Sequence, residues 1–342
     1  MSGQMKIAVI GAGPMGVRHL QAALSIGGTV AGVADLDRTR LESAAEQLAL
    51  SPEVLFDDVR AMLAAAAPDC VVIATTAPAH CELTVLAAEA GVRFILCEKP
   101  MATSIAECDR MLEACARNGA RLAVNHQLRV LPVYAEAKRR LASNELGGVG
   151  SINVTGGNFG LAMIGTHLFE LLRFITDEEP SSVNAWFSEE RVANPRGPQF
   201  EDRAGSCRVE TVGGKRLYID AGADQGHGLK VLFGARFGQI LVDPIEASLE
   251  WWCRRLEDRE LPLTRYATPA VTGTAAAGKS GPVEASAAVL RAMFDGGDYP
   301  TGADGRLALL TLVACHLSAE AGGATVTLQQ AEEARERRFP WA

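Results

Sequence analysis

The sequence predicts an α/β protein of two domains, a doubly wound parallel sheet followed by an α+β domain with antiparallel pairing. Three observations carry this. The chain has 342 residues, more than one hydrophobic core usually organises. Up to residue 124, short β-branched apolar runs alternate with longer helical stretches, the pattern of a parallel sheet covered on both faces. After residue 125, strand-like segments follow one another, and Gly213-Gly214 between two of them reads as a two-residue hairpin turn, which implies antiparallel neighbours.

Taken in order, strands are expected over 7–10, 30–34, 70–74, 92–96 and 122–124, with helices over 15–25, 38–48, 79–90 and 105–117 between them. A helix over 133–142 then leads through Gly147-Gly148-Val149-Gly150 to strands near 151–155, 182–187, 205–211, 215–221 and 229–233. Helices are expected near 167–175, 283–294 and 307–321, and loops over 194–202 and 269–282. Trp251-Trp252 read as sheet packing. The domain division is 1–125 and 126–342.

With 48% hydrophobic and 22% charged residues the chain has the composition of an ordinary globular protein. Its net charge of -8 repels phosphate backbones, and Lys138-Arg139-Arg140 reads as a solvated helix face, so no nucleic-acid partner is expected. Eight cysteines (70, 81, 97, 108, 115, 207, 253 and 315) are scattered without a C-x-x-C pair. They read as free buried thiols of a reducing, cytoplasmic protein, not as disulfides or ligands, and no metal site is expected. No apolar run reaches membrane-spanning length and the N-terminus does not read as a signal peptide, so no membrane association is expected.

The strongest local signal is Gly11-Ala12-Gly13-Pro14-Met15-Gly16, between the first strand and the first helix. The first glycine permits a tight turn, the second lets the backbone approach a pyrophosphate, and the third allows helix and strand to pack closely. The free amides and positive dipole end of the helix then hold the phosphates. Asp35 ends the second strand nineteen residues past Gly16, where a carboxylate can accept hydrogen bonds from the adenosine ribose. Together these mark an N-terminal Rossmann domain that binds NAD in preference to NADP, because a carboxylate repels a 2'-phosphate. Arg38 complicates the preference, since it could cover the adenine or reach a phosphate.

Cys97-Glu98-Lys99-Pro100 follows the 92–96 strand, placing Lys99 at the carboxyl end of a central strand, where ligands of open α/β sheets sit. By itself it could be a surface lysine in a turn. It is accompanied by Ala74-Thr75-Thr76-Ala77-Pro78-Ala79-His80 and by Gly165-Thr166-His167. With these three spaced motifs the whole chain resembles the glucose-fructose oxidoreductase / inositol dehydrogenase / rhizopine catabolism (Gfo/Idh/MocA) family. The resemblance implies a second domain built on an open, mainly antiparallel sheet whose exposed face makes a homo-oligomer, a dimer or tetramer. It implies hydride transfer between a secondary alcohol and a ketone on a small sugar-like or cyclitol substrate.

By residue-to-residue carry-over, Lys99 and His167 contact the reacting oxygen. Thr75, Thr76, Pro78 and His80 line the nicotinamide side, with Glu98 and Asn125 nearby. Without the resemblance His80 reads as a structural helix-start histidine. Arg129 and Asn158 are further candidates to meet substrate, although Arg129 could equally brace the domain interface. One departure stands out: many dehydrogenases of the family carry an aspartate four residues before the histidine, where this chain has Met163, whose thioether cannot take a proton. Two other readings compete with the dehydrogenase: a nucleotide- or ligand-sensing regulator without catalysis, and an NAD-dependent glycosidase.

Overall fold

The computed structural model describes residues 4–262 and 270–342. Its first half winds as β1 (Lys6–Ile10), α1 (Pro14–Ser25), β2 (Thr29–Ala34), α2 (Arg38–Leu48), β3 (Leu55–Phe56) and α3 (Val59–Ala66), then β4 (Cys70–Ile73), α4 (Ala77–Glu89), β5 (Phe94–Cys97), α5 (Ile105–Asn118) and β6 (Arg121–Val124). The strands form a parallel six-stranded sheet in the order β3-β2-β1-β4-β5-β6. Every residue of β4 and β5 is buried, as expected where helices cover both faces. The order reverses between β1 and β4, and the crevice beyond their carboxyl ends is where such folds bind ligands.

The second half contains α6 (Pro132–Leu141), β7 (Val149–Gly157), α7 (Thr166–Thr176), β8 (Pro180–Phe187), β9 (Gly205–Thr211), β10 (Arg216–Gly222), β11 (Lys230–Ala235), β12 (Gly238–Asp243), β13 (Ser248–Arg254) and β14 (Ala270–Ala276). It ends with α8 (Pro282–Asp295), α9 (Gly302–Glu320), β15 (Val326–Thr327) and α10 (Leu328–Ala331). Among the described residues its strands make one nine-stranded sheet, β14-β13-β12-β11-β7-β10-β9-β8-β15. Only β7 and β10 run parallel there; β9 and β10 pair antiparallel across Gly213-Gly214, as their turn predicts. Residues alternate between buried and more exposed along β9, so one face packs inward and the other is open.

Two findings amend the sequence reading. The 269–282 segment is no loop throughout: 270–276 is strand β14, paired with β13, while Pro269 lies outside the described residues. Its small residues hide the strand because the packing comes from the partner, with the Trp251 ring lying where a Cβ on Gly273 would stand. The second finding concerns α8, which the sequence groups with the second domain. Its Ala287, Val289, Leu290 and Met293 share an apolar core with Ile7, Val9, Leu20 and Phe94 of the first sheet, so the chain returns to that sheet before α9. The eight cysteines are all buried and unpaired. No helix among the described residues is long and apolar enough to cross a membrane.

Candidate active site

The site begins at the turn between β1 and α1. Gly11 takes φ +99°, and a Cβ there would come within 2.6 Å of the Ala74 carbonyl oxygen, so only glycine fits. A Cβ on Gly16 would overlap the Gly11 carbonyl, whereas nothing lies within 4 Å of where a Cβ on Gly13 would be. The first and third glycines thus close the turn against helix and strand, and the second leaves room for a ligand. Gly13 caps α1 without any side-chain bond and Pro14 follows it, so the amides of the first turn are free to receive an anion. These residues fit a dinucleotide diphosphate.

Asp35 is fixed beside this turn. Its Oδ2 accepts from Ala12 N at 2.7 Å and its Oδ1 from Asp37 N at 2.9 Å. Arg38, the first residue of α2, is exposed and pairs with Glu42 at 3.0 Å, turned to its own helix. Met15 is half-buried in the first turn of α1, within 3.3 Å of Arg18 Nη1.

Beyond β5, Glu98 gathers three elements. Its Oε1 lies 2.7 Å from His19 Nε2 of α1 and accepts from Asn125 Nδ2 at 2.8 Å, and Asn125 reaches Ser286 of α8 at 3.2 Å. Its Oε2 accepts the Lys99 backbone N–H at 3.2 Å. Burial by itself would raise this carboxyl, but the bond and charge of His19, the Lys99 ammonium and the Asn125 amide hold it well below the usual carboxylate range. Glu98 and Asn125 are therefore buried supports that aim the Lys99 segment. So is His80: its Nδ1 lies 3.0 Å from the Pro100 carbonyl and its Nε2 3.2 Å from the Thr75 carbonyl. Each ring nitrogen faces a carbonyl and burial lowers the imidazole, so its single N–H serves one of the two at a time and the fully buried ring supports the Thr75 and Pro100 backbone.

Lys99 and His167 lie in the two halves of the chain, and the charge of Lys99 reaches His167. Lys99 leaves the carboxyl end of β5, and His167 stands in the first turn of α7, behind the π-helical turn Leu161–Gly165. Burial lowers the Lys99 ammonium, against the pull of Glu98 and Asp202 and with the push of Arg196. Burial also lowers His167 well below its ordinary value, reinforced by Lys99 and His126. His126 packs edge-on against His167 with ring centroids 5.4 Å apart and is pushed down to about 3, chiefly by burial. Both imidazoles are neutral at physiological pH. Met163 occupies the turn before α7, as its sequence position requires, and its amide donates to Asp202 Oδ2 at 2.9 Å.

The remaining candidates divide. Thr75 and Thr76 follow β4, half-buried, with Pro78 exposed in the first turn of α4 beside them. Asn158 stands half-buried just past the end of β7. Arg129 does not serve the pocket: it is buried and bonded to Glu170 at 2.8 Å, to Asp298, and to Asp304 at 3.6 Å. Its guanidinium is spent tying the segment after β6 to α7 and to the start of α9, which corrects its assignment to substrate. Sequence reasoning missed His19, Ser286 and Asp202. For His19 a signal existed, a polar residue on the buried face of α1 between Gly16 and Ala23; for Asp202, in a polar loop, there was none.

Comparison with known proteins bears on this geometry. The family described as "Oxidoreductase family, NAD-binding Rossmann fold" (GFO_IDH_MocA) matches residues 5–126. The chain is 33% identical over 247 residues to an inositol 2-dehydrogenase of Streptomyces avermitilis, covering 68% of this chain and 69% of that protein. It is 39% identical over 145 residues to a D-apiose dehydrogenase of Paraburkholderia graminis, covering 42% of this chain and 38% of that protein. A levoglucosan dehydrogenase solved with NADH and levoglucosan shares the fold, with a TM-score of 0.79 and 21% identity over 96% of this chain and 100% of that one.

Proposed function

The chain belongs to the Gfo/Idh/MocA family of NAD-binding oxidoreductases, and from that premise we propose that it interconverts a secondary alcohol and a ketone on a sugar or cyclitol. What supports the reading is the turn between β1 and α1 suited to a diphosphate, together with Lys99 past the carboxyl end of β5, whose charge reaches His167 at the start of α7. Inositol, D-apiose and levoglucosan name the substrates of similar proteins, and all carry secondary hydroxyls. We extend that substrate class to this chain.

Nicotinamide supplies the hydride acceptor and donor when bound. Lys99 holds the reacting oxygen and takes or returns its proton; its lowered pKa brings a neutral amine closer to physiological pH. Neutral His167 holds the same oxygen by one hydrogen bond, and Thr75, Thr76 and Pro78 border the nicotinamide. Asn158 and Met163 border the substrate. Residues 1–125 carry the cofactor turn and Lys99, and 126–342, α8 apart, form the domain that meets the rest of the substrate. The open face of the nine-stranded sheet, where Trp186 is 53% and Tyr218 37% exposed, is proposed as the homo-oligomer contact, and the cytoplasm as the compartment.

A cofactor-reduction assay over sugars, cyclitols and the matching ketones tests the proposal. Net NADH formation with at least one polyol is expected; nucleotide binding without turnover on the whole panel means a regulator, and substrate cleavage without net NADH means a glycosidase. For the cofactor, the fixed Asp35 carboxylate favours NADH over NADPH by at least about tenfold, or 1.4 kcal/mol. Calorimetry showing equal or tighter NADPH binding overturns that preference.

A further inference from the structure

Lys99 and His167 stand on separate segments, and one short stretch of chain, 335–342, is bonded to a neighbour of each. On the Lys99 side, the Phe339 amide donates to the Thr103 carbonyl at 2.9 Å, and the Ala106 amide in the first turn of α5 donates to the Arg335 carbonyl at 2.9 Å. Buried Glu107 joins the same two segments through its side chain: Oε2 accepts from Thr103 N at 2.9 Å and Thr103 Oγ1 at 2.7 Å, and Oε1 meets Arg338 Nη2 at 2.9 Å. Met101 and Ala102, between Lys99 and Thr103, are themselves buried, so the close-packed surroundings carry a shift at Thr103 towards Lys99. On the His167 side, the Glu201 amide donates to the Pro340 carbonyl at 2.8 Å. The next residue, Asp202, accepts from Ala162 N at 2.7 Å through Oδ1 and from Met163 N at 2.9 Å through Oδ2, capping the turn that leads into His167. Gly160 makes room for that cap: it takes φ +67°, and a Cβ there would overlap the carboxylate. Between the two ties, the rings of Phe339 and Trp341 stack with centroids 4.6 Å and planes 6° apart. Both pack against His316 of α9, at 4.9 and 5.5 Å, and Phe187 at the end of β8 meets the same imidazole at 4.8 Å. Trp341 is fully buried and its amide donates to the Phe339 carbonyl at 2.9 Å.

We propose that Phe339 and Trp341 are positioning residues that set the spacing between Lys99 and His167. The inference rests on the dehydrogenase reading above. The buried stack fixes where the Phe339 amide and the Pro340 carbonyl point, the first towards the segment that bears Lys99 and the second towards the loop that caps the turn before His167. In that reading both side chains hold one reacting oxygen, so the two segments must keep a narrow range of separation, and a misplacement of about 1 Å costs on the order of 10²-fold in rate. The dinucleotide diphosphate is held elsewhere, at the turn Gly11 to Gly16, so cofactor affinity does not depend on the stack.

Two measurements test this with Trp341→Leu, which keeps apolar bulk but no flat ring, and Trp341→Phe, which keeps one. In the cofactor-free protein, hydrogen exchange followed by mass spectrometry reads the tie itself: exchange of the 160–166 peptide rises about tenfold or more in Trp341→Leu, against about twofold or less in Trp341→Phe. Phe233→Leu, a change to a fully buried ring of β11 outside both ties, is the control for lost stability. An unmoved 160–166 peptide in Trp341→Leu, or an equal rise in Phe233→Leu, overturns the positioning role, whether or not any panel substrate is turned over. On a verified substrate, Trp341→Leu lowers kcat by about 10- to 100-fold with NADH affinity within about twofold of wild type, and Trp341→Phe keeps kcat within about threefold. A kcat within about twofold of wild type in Trp341→Leu overturns the proposal. So does a loss of NADH affinity that matches the loss of kcat, since the ring then merely holds up the fold.

Discussion

Lys99→Met is expected to remove measurable turnover, a loss on the order of 10⁴-fold, while NADH affinity changes little. Methionine keeps much of the side-chain volume but has no titratable nitrogen, so the reacting oxygen loses its proton acceptor. The diphosphate is held at a separate place, the turn Gly11 to Gly16, so binding survives. His167→Ala is expected to cost about 10²-fold, because a neutral imidazole contributes one hydrogen bond to the same oxygen. The pH dependence has a definite sign. Oxidation needs the neutral amine, so its rate rises with pH through the Lys99 titration, which burial sets below that of an ordinary lysine. Steady-state kinetics and NADH titrations of each variant check this, and near wild-type turnover in Lys99→Met places the chemistry elsewhere.

Arg129→Met is expected to have the largest effect on stability, about 3 kcal/mol by urea unfolding at neutral pH. The methionine fills part of the space but leaves Glu170, whose side chain is fully buried, without its 2.8 Å partner; Arg173 at 3.3 Å is the cation left to it. Burial already raises Glu170 and the arginine charge opposes that rise, so the variant raises it further. A buried carboxyl with a raised folded-state pKa favours the protonated form. The loss is therefore greatest above that pKa and shrinks as pH falls through it towards the unfolded value. A loss below about 1 kcal/mol, or one that grows on acidification, contradicts the bracing role.

Much of this molecule is legible residue by residue. The apolar runs of β1, β2, β4, β5 and β6 fall near their expected places because a strand covered on both faces must be apolar throughout, which a short window reveals. Gly11 and Gly16 are equally legible, since their requirement is of backbone space and chain order alone. By contrast, β12 and β13 carry no turn signal between them and their neighbours as strong as Gly213-Gly214, and β14 borrows its packing from Trp251.

Side-chain partners obey another logic. Lys99, His167 and the glycine turn were recognisable as motifs, but what each touches depends on distance across the fold. His19 meets Glu98 across 79 positions of sequence, Asp202 meets Ala162 across 40, and Arg129 meets Asp298 across 169. A buried charge takes whatever counter-charge the packing brings near it, because leaving it unpaired costs several kcal/mol. Periodicity and glycine placement act within a few residues and so fix the elements and the cofactor turn; charge pairing acts through space, which is why only the folded chain decided that Arg129 ties α7 to the start of α9 and that Asp202 caps the turn at Met163.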